Sequence, residues 1–273
     1  GEYVSLESKP FLERLGVNFT TMDLPIIDEL LISSPKGNAL TSPLPLGGFG
    51  ISRFVLEEKL YKEAMMQNVT VLTSCIVYDY DRREKDVMVR TSSGNFVGKV
   101  LCASFGKYAF GNFYKSAATS ENWVGVKYHI EYPIPRHQIA LHNFKGGYAG
   151  ISAIEGTKCC LCYLVKATVL KQQQQSIASL EKNVLQRNPF LQDIFSTANF
   201  LFDKPLSISN VTFSAKRPVH DHVFYLGDSA GTITPLCGNG MSMALRSSFL
   251  LSDLLVDYLQ QTISREVMES RYK

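Results

Sequence analysis

The chain lacks the features of a membrane span, a nucleic-acid binder or a disulfide-stapled secreted domain. No apolar run reaches the roughly 20 residues that cross a bilayer, and the most apolar stretch, 249–259, is interrupted by Asp253 and Asp257. Charge of one sign is scarce: 28 Lys and Arg against 25 Asp and Glu leave a formal +3, too little to argue for nucleic acid or an acidic membrane as partner. The short basic pairs Arg82-Arg83 and Lys216-Arg217 read as solvated turns. Six cysteines, Cys75, Cys102, Cys159, Cys160, Cys162 and Cys237, show no disulfide spacing, which suits free thiols in a reducing cytoplasm. Cys159 and Cys162 are formally a Cys-x-x-Cys pair, but residues three apart on a strand face opposite sides, so neither zinc nor redox pairing is expected. No Gly-x-Ser-x-Gly elbow or nucleophile with a neighbouring base occurs. His220-Asp221-His222 has no third ligand in view and reads as a polar turn, so no metal is expected. Trp123 is the sole tryptophan.

What is present is enough apolar material, 45% of residues, for one or two cores, and one segment that carries chemistry. Val223-Phe224-Tyr225-Leu226 reads as an internal strand that ends at Gly227-Asp228, and ligands of open α/β sheets bind at carboxyl ends of strands. Asp228 there is placed to accept hydrogen bonds from sugar-type hydroxyls. Ser229-Ala230-Gly231 is small enough for backbone to approach a ligand. Gly238-Asn239-Gly240 then opens a helix, with Met241, Ala244, Leu245, Phe249, Leu255, Val256 and Leu259 at helical spacing. Its unpaired N–H groups favour an anion, or a group that gains negative charge such as the N1–C2=O edge of a flavin on reduction. Cys237 adjoins this loop, either as a functional thiol or as a small packing residue.

Leu226-Gly227-Asp228-Ser229-Ala230-Gly231 with Pro235, Gly238, Gly240 and Ala244 resembles the second FAD-binding motif of the p-hydroxybenzoate hydroxylase-like flavoproteins, which include aromatic hydroxylases, flavin-dependent halogenases and geranylgeranyl reductases. Gly1-Glu2-Tyr3-Val4-Ser5 resembles the loop after the second strand of the nucleotide domain in the geranylgeranyl reductase-like branch. Ile51-Ser52-Arg53-Phe54 with Leu56 and Leu60 resembles the opening of the following helix. The resemblance implies FAD as cofactor, with NAD(P)H as a candidate electron donor. It implies Arg53 near the phosphates and Gly227, Asp228, Ala230, Gly231, Pro235, Gly238, Asn239, Gly240 and Met241 around the cofactor. Gly146-Gly147-Tyr148-Ala149-Gly150-Ile151 is similar to the strand that lines the substrate site of geranylgeranyl reductases. Tyr148 and Gly150 are therefore expected to line a small apolar substrate, and His142, in the sheet expected over the flavin, to orient it or relay a proton. Paired glycines making only a turn remain the alternative.

Departures from the family pattern are informative. No strand, Gly-x-Gly-x-x-Gly turn and helix precede residue 1, and Gly48-Phe49-Gly50-Ile51-Ser52-Arg53 reads as a glycine turn into a helix rather than a nucleotide fingerprint. A further chain segment, from a longer protein or another polypeptide, is expected to complete the FAD site. Phe105 stands where the hydroxylases carry an aspartate. Trp123 alone does not make the tryptophan-rich motif of halogenases, which ranks halogenation below the alternatives.

The expected fold class is mixed α/β, an FAD-binding α/β domain interrupted by an antiparallel-sheet substrate domain. Residues 1–112 and 213–273 are assigned to the first and 113–212 to the second. Local signals predict a short helix over 5–15, a hairpin of 28–33 and 39–46, a helix over 53–66, and a three-stranded meander of 70–79, 86–91 and 96–103. Strands over 123–132, 138–144, 148–154 and 159–165 follow, then helical pieces over 170–185 and 190–195 and a strand over 206–216. Two enzyme readings remain open: FAD-dependent hydroxylation of an apolar or aromatic molecule, and hydride transfer from reduced FAD to a C=C bond. A flavin-less lipid-binding or interaction subunit is the reading from another class.

Overall fold

The structure, a computed structural model, describes residues 2–107, 111, 113, 122–211, 213, 217–234, 236 and 238–273. In chain order the elements are β1 (Tyr3–Ser5), α1 (Lys9–Arg14), β2 (Ile26–Ser33), β3 (Ala39–Gly50), α2 (Arg53–Met66), β4 (Val77–Arg82), β5 (Val87–Thr91), β6 (Gly94–Gly98) and β7 (Leu101–Ala103). After them come β8 (Trp123–Glu131), β9 (Gln138–Phe144), β10 (Gly147–Ala153), β11 (Lys158–Lys166), α3 (Ala167–Gln172), α4 (Ile177–Asn183), α5 (Pro189–Thr197), β12 (Asn199–Phe200) and β13 (Leu206–Val211). The chain ends with β14 (Val219–His220), β15 (Val223–Tyr225), α6 (Gly240–Leu259) and α7 (Arg265–Tyr272). The class is mixed α/β, as the sequence indicates.

Two compact units divide the chain: Gly1–Leu60 with Ser120–Thr212, and Tyr61–Thr119 with Phe213–Lys273. Residues 1–60 thus group with the central sheet and not with 61–112, unlike the expected boundary near 112. The reason is strand pairing. β2 runs parallel to β9 from Glu29↔Gln138 to Ser33↔His142, which fuses the β1–β3 segment to the later strands. The first unit therefore holds one nine-stranded sheet in the order β1-β3-β2-β9-β10-β11-β8-β12, with β13 also on β8.

One face of this sheet is dry. Val126, Tyr128 and Ile130 of β8, Leu161 and Tyr163 of β11 and Ile151 of β10 alternate onto it, the period-2 pattern of a strand with one buried side. Leu180 of α4 and Leu191 and Ile194 of α5 cover it. The Tyr128 and Tyr163 hydroxyls both donate to Glu181 Oε1 of α4, at 2.9 and 2.8 Å. The expected helix over 170–185 is interrupted between α3 and α4, where Gln174 and Gln175 adopt φ of 54° and 58°, a left-handed conformation that a helix cannot continue through. α5 begins on Asn188, whose side chain accepts from Phe190 N–H at 2.9 Å, with Pro189 in the first turn.

In the second unit, β7 and β15 run parallel in a three-stranded sheet of order β14-β15-β7, and β4-β5-β6 form the expected meander. The meander differs in two places. Strand structure starts at Val77 rather than 70, because 67–76 contains two left-handed residues, Asn68 and Ser74, and β-branched Val69-Thr70-Val71 finds no partner strand among the described residues. The single strand expected over 96–103 is two, β6 and β7, which belong to different sheets. β14 and β15 are joined by Asp221 and His222 at φ of 49° and 59°, so the His220-Asp221-His222 signal is a tight hairpin turn, as read from the sequence. The strand expected over 206–216 ends at Val211 among the described residues.

Gly48 and Gly50 lie in β3 and do not form the expected turn. At Gly50 a Cβ would come 1.9 Å from the carbonyl oxygen of Ala153, a backbone atom that cannot yield. Gly50→Ala should therefore lower stability by about 2–4 kcal/mol, whereas Gly98→Ala, with nothing closer than 3.6 Å, should stay within about 1 kcal/mol. Urea denaturation of the two variants checks this; equal midpoints would contradict the packing at Gly50.

Candidate cofactor site

In the second unit the parallel register Val223↔Leu101, Phe224↔Cys102 and Tyr225↔Ala103 brings the carboxyl ends of β7 and β15 level. The chain leaves β15 through a single 3₁₀ turn, Gly227–Ser229. Ser229 is buried, and its Oγ accepts from Gly106 N–H at 2.9 Å and donates to Gly106 O at 3.1 Å. That pair ties the loop after β7 to the turn after β15. Phe105 packs edge-on against Phe113 and Tyr225, so it serves the core.

Asp228 emerges from this turn exposed. Gly227 sits at φ 55°, and a Cβ there would meet Ala244 Cβ at 3.1 Å, so the turn rests on the second turn of α6. Small residues on both sides permit that approach. Ala230 and Gly231 donate their N–H groups to Gly227 O at 2.9 and 3.3 Å, closing the turn. Asn239 caps α6 without a side-chain hydrogen bond, and a Cβ at Gly240 would meet nothing within 4 Å. Among the described residues nothing closes the start of this 20-residue helix, where the positive end of its dipole lies. The Thr232 hydroxyl, in the loop between turn and helix, is buried with no hydrogen-bond partner among the described residues.

The structure therefore brings together Gly227, Asp228, Ala230, Gly231, Asn239, Gly240 and Met241, with Gly238 at φ 67° on the way into the helix. Pro235 and Cys237 lie outside the described residues. The residues present fit a cofactor that offers hydroxyls to a carboxylate and an electron-rich edge to a helix start. No group of three or more His, Cys, Asp or Glu that could hold a metal occurs among the described residues.

Arg53 belongs to the first unit and opens α2. Its guanidinium is 62% exposed and bonded to Glu57 Oε1 at 2.9 and 2.7 Å. Its backbone N–H donates to Glu2 Oε1 at 2.8 Å, and Ser52 N–H donates to Glu155 Oε2 at 2.7 Å. Two carboxylates thus cap the α2 start. Glu2, only 1% exposed, is also held by Lys127 and by His129 Nε2 at 2.6 Å. Sequence reading missed this centre. Its one signal was Lys127 and His129, two residues apart on a strand and therefore on one face.

Of the three expected substrate-lining residues, the structure separates one. His142 pairs with Ala149 across β9 and β10, whereas Tyr148 pairs with Asn143 and Gly150 with Leu141. Opposed residues share a face, so His142 lies on the helix-covered side and Tyr148 and Gly150 on the other. His142 stacks on Phe190 at 5.0 Å. Gly150 is close-packed as well: a Cβ there would meet Leu141 Cδ2 at 3.3 Å.

Comparison with known proteins finds no matching family model and no curated protein. Solved structures do match. The flavin-dependent brominase Bmp2 superposes with a TM-score of 0.79 at 15% identity, covering 100% of this chain and 72% of that one. HpxO of Klebsiella pneumoniae, complexed with FAD and uric acid, gives 0.76 at 15% identity over 99% and 73%. PqsL of Pseudomonas aeruginosa, in complex with 2-aminobenzoylacetate, gives 0.70 at 18% identity over 99% and 79%. The chain has the mixed α/β fold that these proteins share. No helix among the described residues is long and apolar enough to cross a membrane.

Burial raises the Glu2 carboxyl pKa, but bonds from His129, Lys127 and the Arg53 N–H outweigh it and hold the group at about 2 against an ordinary 4.5. A depressed folded-state value contributes stability above pH 4.5 that is lost as pH falls toward 2. Glu2→Gln should cost about 3 kcal/mol at pH 7 and flatten the stability profile between pH 4.5 and 2. Denaturant unfolding across that range checks it; an unchanged slope would contradict the assignment.

Proposed function

We propose that the chain is an FAD-dependent oxidoreductase that acts on a small aromatic molecule, with hydroxylation as its chemistry. The observation that carries this reading is the exposed carboxylate of Asp228 beside an open helix start, built at the carboxyl ends of two adjacent parallel strands. Support for the chemistry comes from the structural neighbours, which include a flavin-dependent brominase, a protein complexed with FAD and uric acid, and one described as a probable FAD-dependent monooxygenase. When bound, FAD supplies the redox and oxygen chemistry.

The protein's own part is binding and orientation. Asp228 accepts hydrogen bonds from ribose or ribityl hydroxyls. The first N–H groups of α6, from Gly240 and Met241, would hold the N1–C2=O edge of a flavin, and a preorganised dipole there would favour its reduced state. Gly227, Ala230 and Gly231 let backbone come close, with Gly238 at the entry to the helix. In this reading Arg53 contacts the phosphates, which requires its guanidinium to leave Glu57. Such an exchange is inexpensive, because an exposed pair is worth only about 0.2–1 kcal/mol.

Tyr148 and Gly150, on the sheet face away from the helices, line the substrate, and NAD(P)H serves as electron donor. A further segment of polypeptide completes the FAD site. β7 has no partner on its outer edge among the described residues, and an open edge of a parallel sheet invites another strand.

Asp228→Ala should weaken FAD binding about 10- to 100-fold, the equivalent of a charged hydrogen bond worth roughly 1.5–3 kcal/mol. Flavin absorbance of the purified protein after gel filtration reads the loss. Undiminished occupancy would contradict the role of Asp228, and no flavin bands in the wild type would favour a binding module. Oxygen uptake stimulated by an aromatic substrate supports hydroxylation, whereas anaerobic reduction of a C=C bond would replace it with hydride transfer.

A further inference from the structure

On the helix-covered side of the first unit's sheet, away from Tyr148 and Gly150, a cleft of about 140 Å³ opens between the sheet and α5. Leu31, Ala140, Ile151, Phe190 and Ile194 supply apolar wall and Tyr132, Gln138 and His142 its polar groups, with no ionised side chain in the lining; the Tyr132 hydroxyl already donates to Asp193 Oδ2 and the Gln138 amide to Glu29 Oε1 at 2.6 Å. The volume is close to that of an engineered apolar cavity of about 150 Å³ that takes up benzene.

The polarity at His142 is set by a chain of hydrogen bonds from the α5 cap. Asn188 Oδ1 accepts from Phe190 N–H, which fixes its amide orientation, so Nδ2 is the donor. Nδ2 donates to Ser33 Oγ at 2.8 Å, and also to Ser34 O and Asn143 O. Ser33 is 0% exposed, so its own hydroxyl hydrogen has no water to meet. The remaining neighbour is His142 Nδ1 at 2.9 Å, which therefore accepts. The proton of the neutral imidazole is then on Nε2. That nitrogen makes no hydrogen bond among the described residues, while the ring lines the cleft. Burial pushes the His142 pKa down to about 4, which keeps the ring neutral near pH 7.

We propose that this cleft is a second small-molecule site, which binds a monocyclic neutral aromatic bearing an acceptor oxygen, the oxygen accepting from His142 Nε2–H and the ring packing against Phe190 and Ile194. A cation finds no carboxylate in the lining and a carboxylate ligand finds no ionised base. An aromatic without an acceptor leaves the N–H unsatisfied once water is expelled.

The test uses the full chain with ¹⁵N-labelled histidine and two probes, acetophenone and ethylbenzene, which differ at the acceptor oxygen. The His142 nitrogen shifts are expected to report the Nε2–H tautomer. Acetophenone is expected to shift the Nε2 resonance and to bind about fivefold more tightly than ethylbenzene, as one neutral hydrogen bond requires. In His142→Phe the preference should fall to about one, since the oxygen has lost its donor. An Nδ1–H tautomer, equal affinities in the wild type, or a preference that survives His142→Phe would each overturn the proposal. The first two readings need no variant, so a poorly folded His142→Phe leaves it open to refutation.

Discussion

The parallel pairing of β7 with β15 is the constraint from which the candidate cofactor site follows. Two strands far apart in sequence end at the same level only because Val223, Phe224 and Tyr225 are fully buried and register against Leu101, Cys102 and Ala103. Two loops must then leave the sheet side by side. Ser229 ties them together, and Gly227 lets α6 close on the turn, so an acid and a helix start share one small region. Ser229 and Gly227 hold the turn in place, and Asp228 between them is carried to the surface beside it.

The first unit is organised by a different constraint, the parity of its strands. Along β8 and β9 alternate residues are committed to the helix-covered core, and every chemical group is thereby assigned to one face or the other. The Glu2 centre and the His142 cleft occupy opposite faces for that reason. Both rest on a buried polar group whose partners are supplied by backbone geometry: the α2 start for Glu2, the α5 cap for the Ser33–His142 pair. Such groups hold a single conformation because each alternative leaves a donor or acceptor dry and unpaired.

Much of this was legible in the sequence. Helix α2 and strand β9 coincide with their local signals to the residue, and the glycine-bearing turn between β15 and α6 was read from its small residues and flanking periodicity. What escaped was non-local. Nothing near Asp28 tells that β2 will lie parallel to β9, so the division of the chain fell elsewhere than expected. Nothing near His142 gives its parity relative to Tyr148, because the turn at Lys145-Gly146 sets the register. Val69-Thr70-Val71 has strand propensity but no strand to pair with, which is a fact about its surroundings. Glu2 looks like an ordinary surface acid until Lys127 and His129, more than a hundred residues away, are folded against it.

Hydrogen exchange on the protein with and without added FAD reads the central claim at the residues concerned. If a redox cofactor rests on the open start of α6, amides of Gly231 and of Gly240 and Met241 should gain protection on binding, while the buried strand β15 stays as protected as before. Binding of FAD with no change at those amides, or with protection confined to another part of the chain, would contradict the claim.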